Sequence, residues 1–300
     1  MTIKIIDVSK HNGSLYWSKI KKDGIDGIMI RAGYGWQFHK DPYMDEFVEG
    51  CRKNKIPYGF YCYSYATTVS QAVTECYGFL KTIKGLNPEL PVVIDTEDAD
   101  GWRHNNSNPS WRTLAAMLKK QLTIIEEAGY YAMWYANRSW AVNLYQCDPS
   151  LRAHDLWLAH WGVSEPSLPC GLWQYTEKGP KYGDGIDQCD MNIAYKDYPE
   201  IIKAAGLNEW PKEEKKVSSI KVDTVICYKN DGDFANVMAL FNSLYGLVPS
   251  VCIQRGDPTI QAAHVIQVGG AKVKGANVVL SGADRREVLV TIAKYVAERR

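Results

Sequence analysis

The sequence predicts an α/β fold: a sheet of about eight mainly parallel strands interleaved early on with helices, followed by a second, smaller α/β domain. Two observations lead there. Short β-rich runs alternate with segments whose apolar residues recur every three or four positions, and this alternation lapses in one charged, proline-bearing stretch before it restarts. The chain of 300 residues is 46% hydrophobic and 23% charged, enough for two ordinary cores.

In chain order, Ile3–Val8, Gly27–Ala32, Tyr58–Tyr65, Pro91–Glu97, Tyr130–Tyr135, Leu156–Trp161, Leu172–Tyr175 and Gly185–Asp190 read as strands. Pro42–Asn54, Ser70–Ile83 and Trp111–Ala128 carry the helical spacing. Strand, helix and strand in repetition imply parallel pairing. The later strands are joined by short loops with little room for helices, so the second half of the sheet is expected to be irregular. Leu207–Ser219 (LNEWPKEEKKVSS) has no sustained apolar face and reads as a linker, which sets the domains at 1–206 and 220–300. In the second domain VDTVICY, SVCIQ, HVIQVGG and NVVLSG read as strands, and Asp233–Tyr245 and Asp284–Arg299 as helices.

A formal net charge of +1 supplies no basic field for nucleic acid. No apolar stretch approaches the roughly 20 residues that span a bilayer, so membrane insertion is not expected. The opening MTIKIIDVSK enters a strand pattern without the apolar core or cleavage site of a signal peptide, and we expect a chain made in the cytoplasm. The eight cysteines show no CxxC pair and no histidine at metal spacing, so they are expected as free thiols. His104 and His160 likewise lack a partner at ligand spacing, and neither a metal nor an organic cofactor is expected.

Chemistry is concentrated in Pro91-Val-Val-Ile-Asp95-Thr-Glu97-Asp98, an apolar run that ends in acids. In parallel barrels the C-terminal strand ends open on the active-site face. Residues i and i+2 of a strand share a face, roughly 6.6 Å apart, so Asp95 and Glu97 would enter one pocket. There each charge raises its neighbour's pKa, which keeps a glutamic acid protonated for general acid work. Taken alone, the segment also reads as a solvated acidic loop. Asp7, ending the first strand, and Asp190, ending the last, weigh against that: if the sheet closes, these strands become neighbours and all the acids meet at one mouth.

The segments IDVSKHNG, IRAGYG (Ile30–Gly35), GFYCYSYA (Gly59–Ala66), PVVIDTED, YYAMWYAN, LWLAHW, LWQYT and DMN, in this order across residues 1–206, resemble glycoside hydrolase family 25. The resemblance implies an irregular, flattened β/α barrel of five strand–helix units and three plainer strands. It also implies hydrolysis of the β-1,4 bond between N-acetylmuramic acid and N-acetylglucosamine in peptidoglycan. By the same resemblance Glu97 is the general acid and Asp95 the partner that steadies the substrate's own acetamido nucleophile, with retention. Asp7 and Asp190 are the remaining acids of the pocket. Tyr61, Tyr63, Tyr135 and Trp157 are expected to contact sugar, since aromatic faces stack on pyranose rings; singly, each also reads as core. Gln174 in WQYT is expected beside them, as substrate contact or structural support.

From about Lys221 onward, VIQVGG (Val265–Gly270) and SGADRREVLVTIAKYV (Ser281–Val296) resemble the cell-wall-binding repeat type 2 family, with Arg286-Glu287-Val288-Leu289 departing from its usual pattern. That implies docking on anionic wall polymers of Gram-positive bacteria. Such repeats usually come in threes, so either one copy suffices or chains associate as a homo-oligomer through it. The expectation is a muramidase of the phage endolysin kind. Alternatives are a lectin that keeps the barrel without catalysis, and a chitinase-like acetamido-sugar hydrolase.

Overall fold

A computed structural model describes residues 3–186, 188–212, 222–244, 251–256, 262–270 and 273–298. The chain divides into two compact units, Met1–Glu214 and Lys215–Arg300. In the first, the elements run β1 (Ile3–Val8), α1 (Trp17–Lys22), β2 (Gly27–Tyr34), β3 (His39–Lys40), α2 (Met44–Asn54), β4 (Tyr58–Tyr63), α3 (Val69–Ile83) and β5 (Val92–Asp95). They continue with α4 (Trp102–Asn106), α5 (Trp111–Glu127), β6 (Ala132–Asn137), α6 (Arg138–Cys147), β7 (Asp155–Ala159), β8 (Leu172–Thr176), β9 (Asp190–Ala194) and α7 (Tyr198–Ala205).

The sheet closes. Its order is β1-β9-β8-β7-β6-β5-β4-β2, with β1 paired back on β2 and the short β3 hairpinned outside β2. Pairing is parallel from β1 through β2, β4, β5, β6 and β7 to β8, and antiparallel on both sides of β9. Five strands are followed by helices (α1, α2, α3, α5 and α6), and β7 and β8 pass on without one. The later half is therefore less bare than its sequence suggests: α6 fits between β6 and β7, started by Asn137, whose side chain accepts from the Trp140 amide at 3.0 Å.

The two-residue strand period sorts the core into layers. Ile6, Ile28, Ile30, Phe60, Val92, Ile94, Trp134 and Leu158 face outward under the helices, joined by Phe47, Phe79, Leu118 and Leu122. The opposite phase, with Ile5, Met29, Val93, Met133 and Leu172, fills the barrel interior. Tyr198 and Ile202 of α7 close the N-terminal end of the barrel, where the Tyr198 hydroxyl donates to Asp155 Oδ2 at 3.0 Å.

Two sequence expectations need correction. The last strand is not Gly185–Asp190 but begins at Asp190 and runs antiparallel to β1. The glycines before it serve a loop instead: Gly185 lies on the turn after β1, its amide donating to Asn12 O at 2.8 Å, and any Cβ there would meet His11 O at 2.1 Å. The expected linker is also shorter at its start. Leu207 and Trp210 pack under the barrel, and the Asn208 side chain donates to Pro88 O and Leu90 O and accepts from the Tyr131 amide. Residues 213–219 of that segment lie outside the described residues.

The second unit holds β10 (Val222–Tyr228), α8 (Phe234–Leu244), β11 (Val251–Arg255), β12 (Ala262–Val268), β13 (Val278–Leu280) and α9 (Arg285–Ala297). Its strands are all parallel in the order β11-β10-β12-β13. Ile226, Ile266, Val268 and Leu280 meet Val237, Leu240, Val288 and Ile292 of the two helices. Cys51, Cys62, Cys76, Cys147, Cys170 and Cys189 are free thiols; the Cys252 side chain lies outside the described residues. No helix among the described residues is long and apolar enough to cross a membrane.

Candidate active site

The inward phase that is apolar at the bottom of the barrel turns polar at the C-terminal ends of the parallel strands. Two residues beyond Ile5 stands Asp7, beyond Met29 Arg31, beyond Val93 Asp95, beyond Met133 Tyr135, and beyond Leu172 Gln174. Asp190 reaches the same level because β9 runs the other way, which puts its first residue opposite Asp7. Asp7 and Asp95 are 8% and 5% exposed. Glu97 lies beyond the end of β5, half-buried, so it shares the mouth with Asp95 through a loop rather than through strand alternation.

Gln174 joins these groups. Its Nε2 donates to Asp7 Oδ2 at 3.2 Å and Asp190 Oδ2 at 3.1 Å; its Oε1 accepts from the Tyr135 hydroxyl at 3.1 Å and Trp161 Nε1 at 3.2 Å. Four partners fix which way the amide faces. Asn192 adds a second brace, donating to Asp7 Oδ2 at 2.8 Å and accepting from Trp157 Nε1 at 2.8 Å. Trp157, expected to touch sugar, is instead 2% exposed, with Tyr135 and Tyr61 set edge-on to it at 4.9 and 5.8 Å. Its interior position follows from the strand: β7 stops at Ala159, and Trp161, beyond the end, is the exposed tryptophan.

Burial is the largest influence on every one of the acids, and it favours the neutral form. It raises Glu97 to about 7, helped by the Asp7 charge and opposed by Arg103. Asp95 is pushed well above the carboxylate range by burial and the Glu97 charge, with Arg103 pulling the other way. Burial puts Asp7 at about 6 against the hydrogen bonds from Asn192 and Gln174, and Asp190 at about 9 with Asp7 as its second cause. The Asp7–Asp190 pair therefore retains a proton at neutral pH. Asp95 Oδ1 is buried and has no hydrogen-bond partner, an acceptor held ready for a donor from outside the protein.

Arg103 is the group the sequence least advertises. It is buried, donating from Nε to Ala66 O at 3.1 Å and from Nη1 to Glu97 O at 2.9 Å, while Asp98 accepts from its amide at 2.8 Å. It anchors the loop that carries Glu97, and a lone arginine in a polar loop gives no pattern to find it by. Arg31 was readable: it ends an apolar run on β2 as Asp7 does on β1, and it pairs with the fully buried Asp41 at 2.8 Å.

Cavities of about 420, 390, 440 and 240 Å³ open around this end. The first is walled by Asp7, Asp190 and Tyr61, the second by Lys10, Tyr34, Tyr63 and Tyr65, and the third by Glu97, Tyr135, Trp140 and Trp161. The fourth extends the second between Tyr34, Trp36, Tyr65 and Trp102. Of the aromatics expected from sequence, Tyr61, Tyr63 and Tyr135 wall these spaces, and Gln174 lies beneath them.

Carboxyl groups kept protonated near neutral pH, next to clefts lined with aromatic faces at the mouth of a β/α barrel, suit acid-assisted cleavage of a glycosidic bond. Residues 6–184 match the model of glycosyl hydrolases family 25, and the chain belongs to that family. An autolytic lysozyme of Clostridium acetobutylicum is 26% identical over 184 residues, 60% of this chain and 52% of that protein. Lysozyme M1 of Streptomyces globisporus is 28% identical over 189 residues, 58% of this chain and 62% of its own length. The matched region is thus about half to two-thirds of each of these relatives. The crystal structure of the CTP1L endolysin, described as regulated by a secondary translation product, covers 99% of both chains at a TM-score of 0.56 and 20% identity, a likeness of fold.

Proposed function

We propose that the protein is a lysozyme that cleaves the β-1,4 bond between N-acetylmuramic acid and N-acetylglucosamine in peptidoglycan. Membership of family 25 and the lysozymes among its relatives support the reaction. The observation that carries it is the Asp95–Glu97 pair: a glutamic acid titrating at about 7 beside a buried carboxyl with an unpartnered oxygen. Glu97 gives its proton to the leaving glycosidic oxygen as the C1–O bond breaks. The carbonyl oxygen of the sugar's 2-acetamido group forms the new bond to C1, making an oxazolinium ion. Asp95 Oδ1 accepts from the acetamido N–H and offsets its positive charge, and this donor lowers the proton affinity that burial gives Asp95 in the empty site. Water then attacks C1 from the side the leaving group left, losing a proton to Glu97, so the configuration is retained. Asp7 and Asp190, braced by Gln174 and Asn192, hold the neighbouring sugar and set the field at Glu97.

We propose the second unit as a wall-binding module for anionic polymers, on the strength of its sequence resemblance. The residues behind that resemblance build local structure: Gln267 Nε2 donates to Gly269 O at 2.6 Å and its Oε1 accepts from the Val273 amide at 2.7 Å, while Asp284 caps α9 by accepting from the Arg286 and Glu287 amides. Association of chains through this unit is part of the proposal, and a monomeric mass in light scattering at micromolar concentration would count against it.

The reaction is tested by incubating protein and a Glu97→Gln variant with Gram-positive walls and identifying the new reducing ends by mass spectrometry after borohydride reduction. Reduced muramic acid ends from the wild type, and release slower by about 10³-fold or more from the variant, are expected. Reduced glucosamine ends would mean a different bond, and equal release by both proteins would remove Glu97 from the mechanism.

A further inference from the structure

The mouth of the barrel has three arms, whereas a linear glycan needs two. The Asp7–Asp190 cavity and the Glu97 cavity flank the acids on either side and are linked beneath by Gln174, which bonds to both walls. A glycan with its scissile bond at Glu97 runs along this line. The third arm leaves it sideways. It meets the other two at His11 and Ala99, passes between Tyr34, Tyr63 and Tyr65, and continues past Tyr65 toward Trp36 and Trp102.

We propose that this arm receives the peptide stem of the substrate, with Lys10 taking a stem carboxylate and Asp100 a stem ammonium. The inference rests on the muramidase reading. In muramic acid the lactyl group that carries the stem is attached at C3, next to the C2 acetamido group that Asp95 would hold. The register continues that geometry into the protein: Tyr63, a wall of the arm, is the strand neighbour of Asp95. With the acetamido group on Asp95, C3 lies one carbon away from it, next to the strand whose Tyr63 begins the arm.

Charge agrees with this occupant. Lys10 follows β1 and Asp100 follows β5, with β2 and β4 between them, so a cation and an anion face the arm from its two sides. The Lys10 ammonium lies 5.5 Å from the Tyr34 ring centre and has no carboxylate partner among the described residues, while Arg31 nearby is already matched by Asp41. Asp100 accepts from the Tyr65 hydroxyl and, through Oδ1, from the Trp102 amide, which orders it at the cavity wall. A short peptide with free carboxylates and a side-chain amine is complementary to such a wall. A strand without stems offers Asp100 no ammonium and Lys10 only the lactyl carboxylate close to the sugar ring.

The test compares kcat/KM on glycan strands that keep their stems with the same strands stripped by an amidase, for wild type, Lys10→Ala and Lys10→Glu. Lys10 is exposed and donates only its backbone amide to Asp41, so the variants keep the fold, which Tm checks. The expected result is a loss of about 5- to 10-fold on stem-bearing strands for Lys10→Ala, larger for Lys10→Glu, with stripped strands changing less than about twofold. Equal losses on both substrates would show that Lys10 serves the glycan strand, through its sugars or the lactyl carboxylate that the amidase frees, rather than the stem, and no loss on either would show that Lys10 binds neither; both overturn the proposal. Wild-type protein that cleaves neither substrate would overturn the muramidase reading and this inference with it, an outcome told apart because it does not involve the variants.

Discussion

The lower and upper halves of the barrel interior are built by the same strands in the same phase, yet they have opposite chemistry. Below, Ile5, Met29, Val93, Met133 and Leu172 pack against one another and are sealed by Tyr198 and Ile202. One pleat step above, Asp7, Arg31, Asp95, Tyr135 and Gln174 take their places. Burying an uncompensated acid destabilises a fold, and burying a methionine or leucine stabilises it by about 1.5–3 kcal/mol. The lower layer thus offsets what the upper one costs, and the site can keep carboxyl groups poorly solvated because the floor beneath them is dry.

This comparison can be broken by substitutions that act on one half only. The largest effect is expected from Asp95→Asn, which keeps the shape and removes the charge that Asp95 takes on with substrate bound: kcat falls by about 10²- to 10³-fold while Tm holds or rises, measured by wall lysis and thermal scanning. A fall in Tm would mean that Asp95 supports the fold. Next comes Met133→Ala in the lower layer, expected to lose about 2–4 kcal/mol of stability and roughly 5–12 °C in Tm, with kcat of the folded protein within about fourfold of wild type. Loss of kcat in step with stability would show that the two halves are one unit.

The smallest effect sharpens the pH side. The carboxyl of Asp190 is raised to about 9 by burial and by Asp7. The folded state then binds more protons than the unfolded chain, so stability falls as pH rises from the ordinary carboxylate range toward 9. Asp190→Asn removes that loss. Its Tm is expected to exceed wild type by about 3–6 °C at pH 8 and to match it near pH 4. The same gain at both pH values would point to packing rather than charge.

Most of the frame was legible in the sequence because strand interiors and acid-terminated apolar runs are local patterns. VVID with Glu97 beyond it, IIDV with Asp7, and the alternation of Tyr61 and Tyr63 each name a strand and the face that reaches the mouth. The positions of Trp157 and Trp161 were not legible, since the same alternation allows either to be exposed until the end of β7 is known. Arg103 left no periodic trace. Its role arises from the short helix α4, which brings it back to Ala66 O and Glu97 O.

By itself, then, the sequence determined which runs become strands, which side chains share a face, and which acids stand at strand ends, because these depend on a two-residue period and on residues adjacent in the chain. Only the tertiary structure decided that β9 runs antiparallel, so that Asp190 meets Asp7 from the start of a strand rather than its end. It also decided that Gln174 bridges Asp7 and Asp190 and that Asn192 braces Asp7. Strand direction and hydrogen-bond partners across 16 to 185 residues of chain depend on how the sheet closes, and closure is a property of all the strands together.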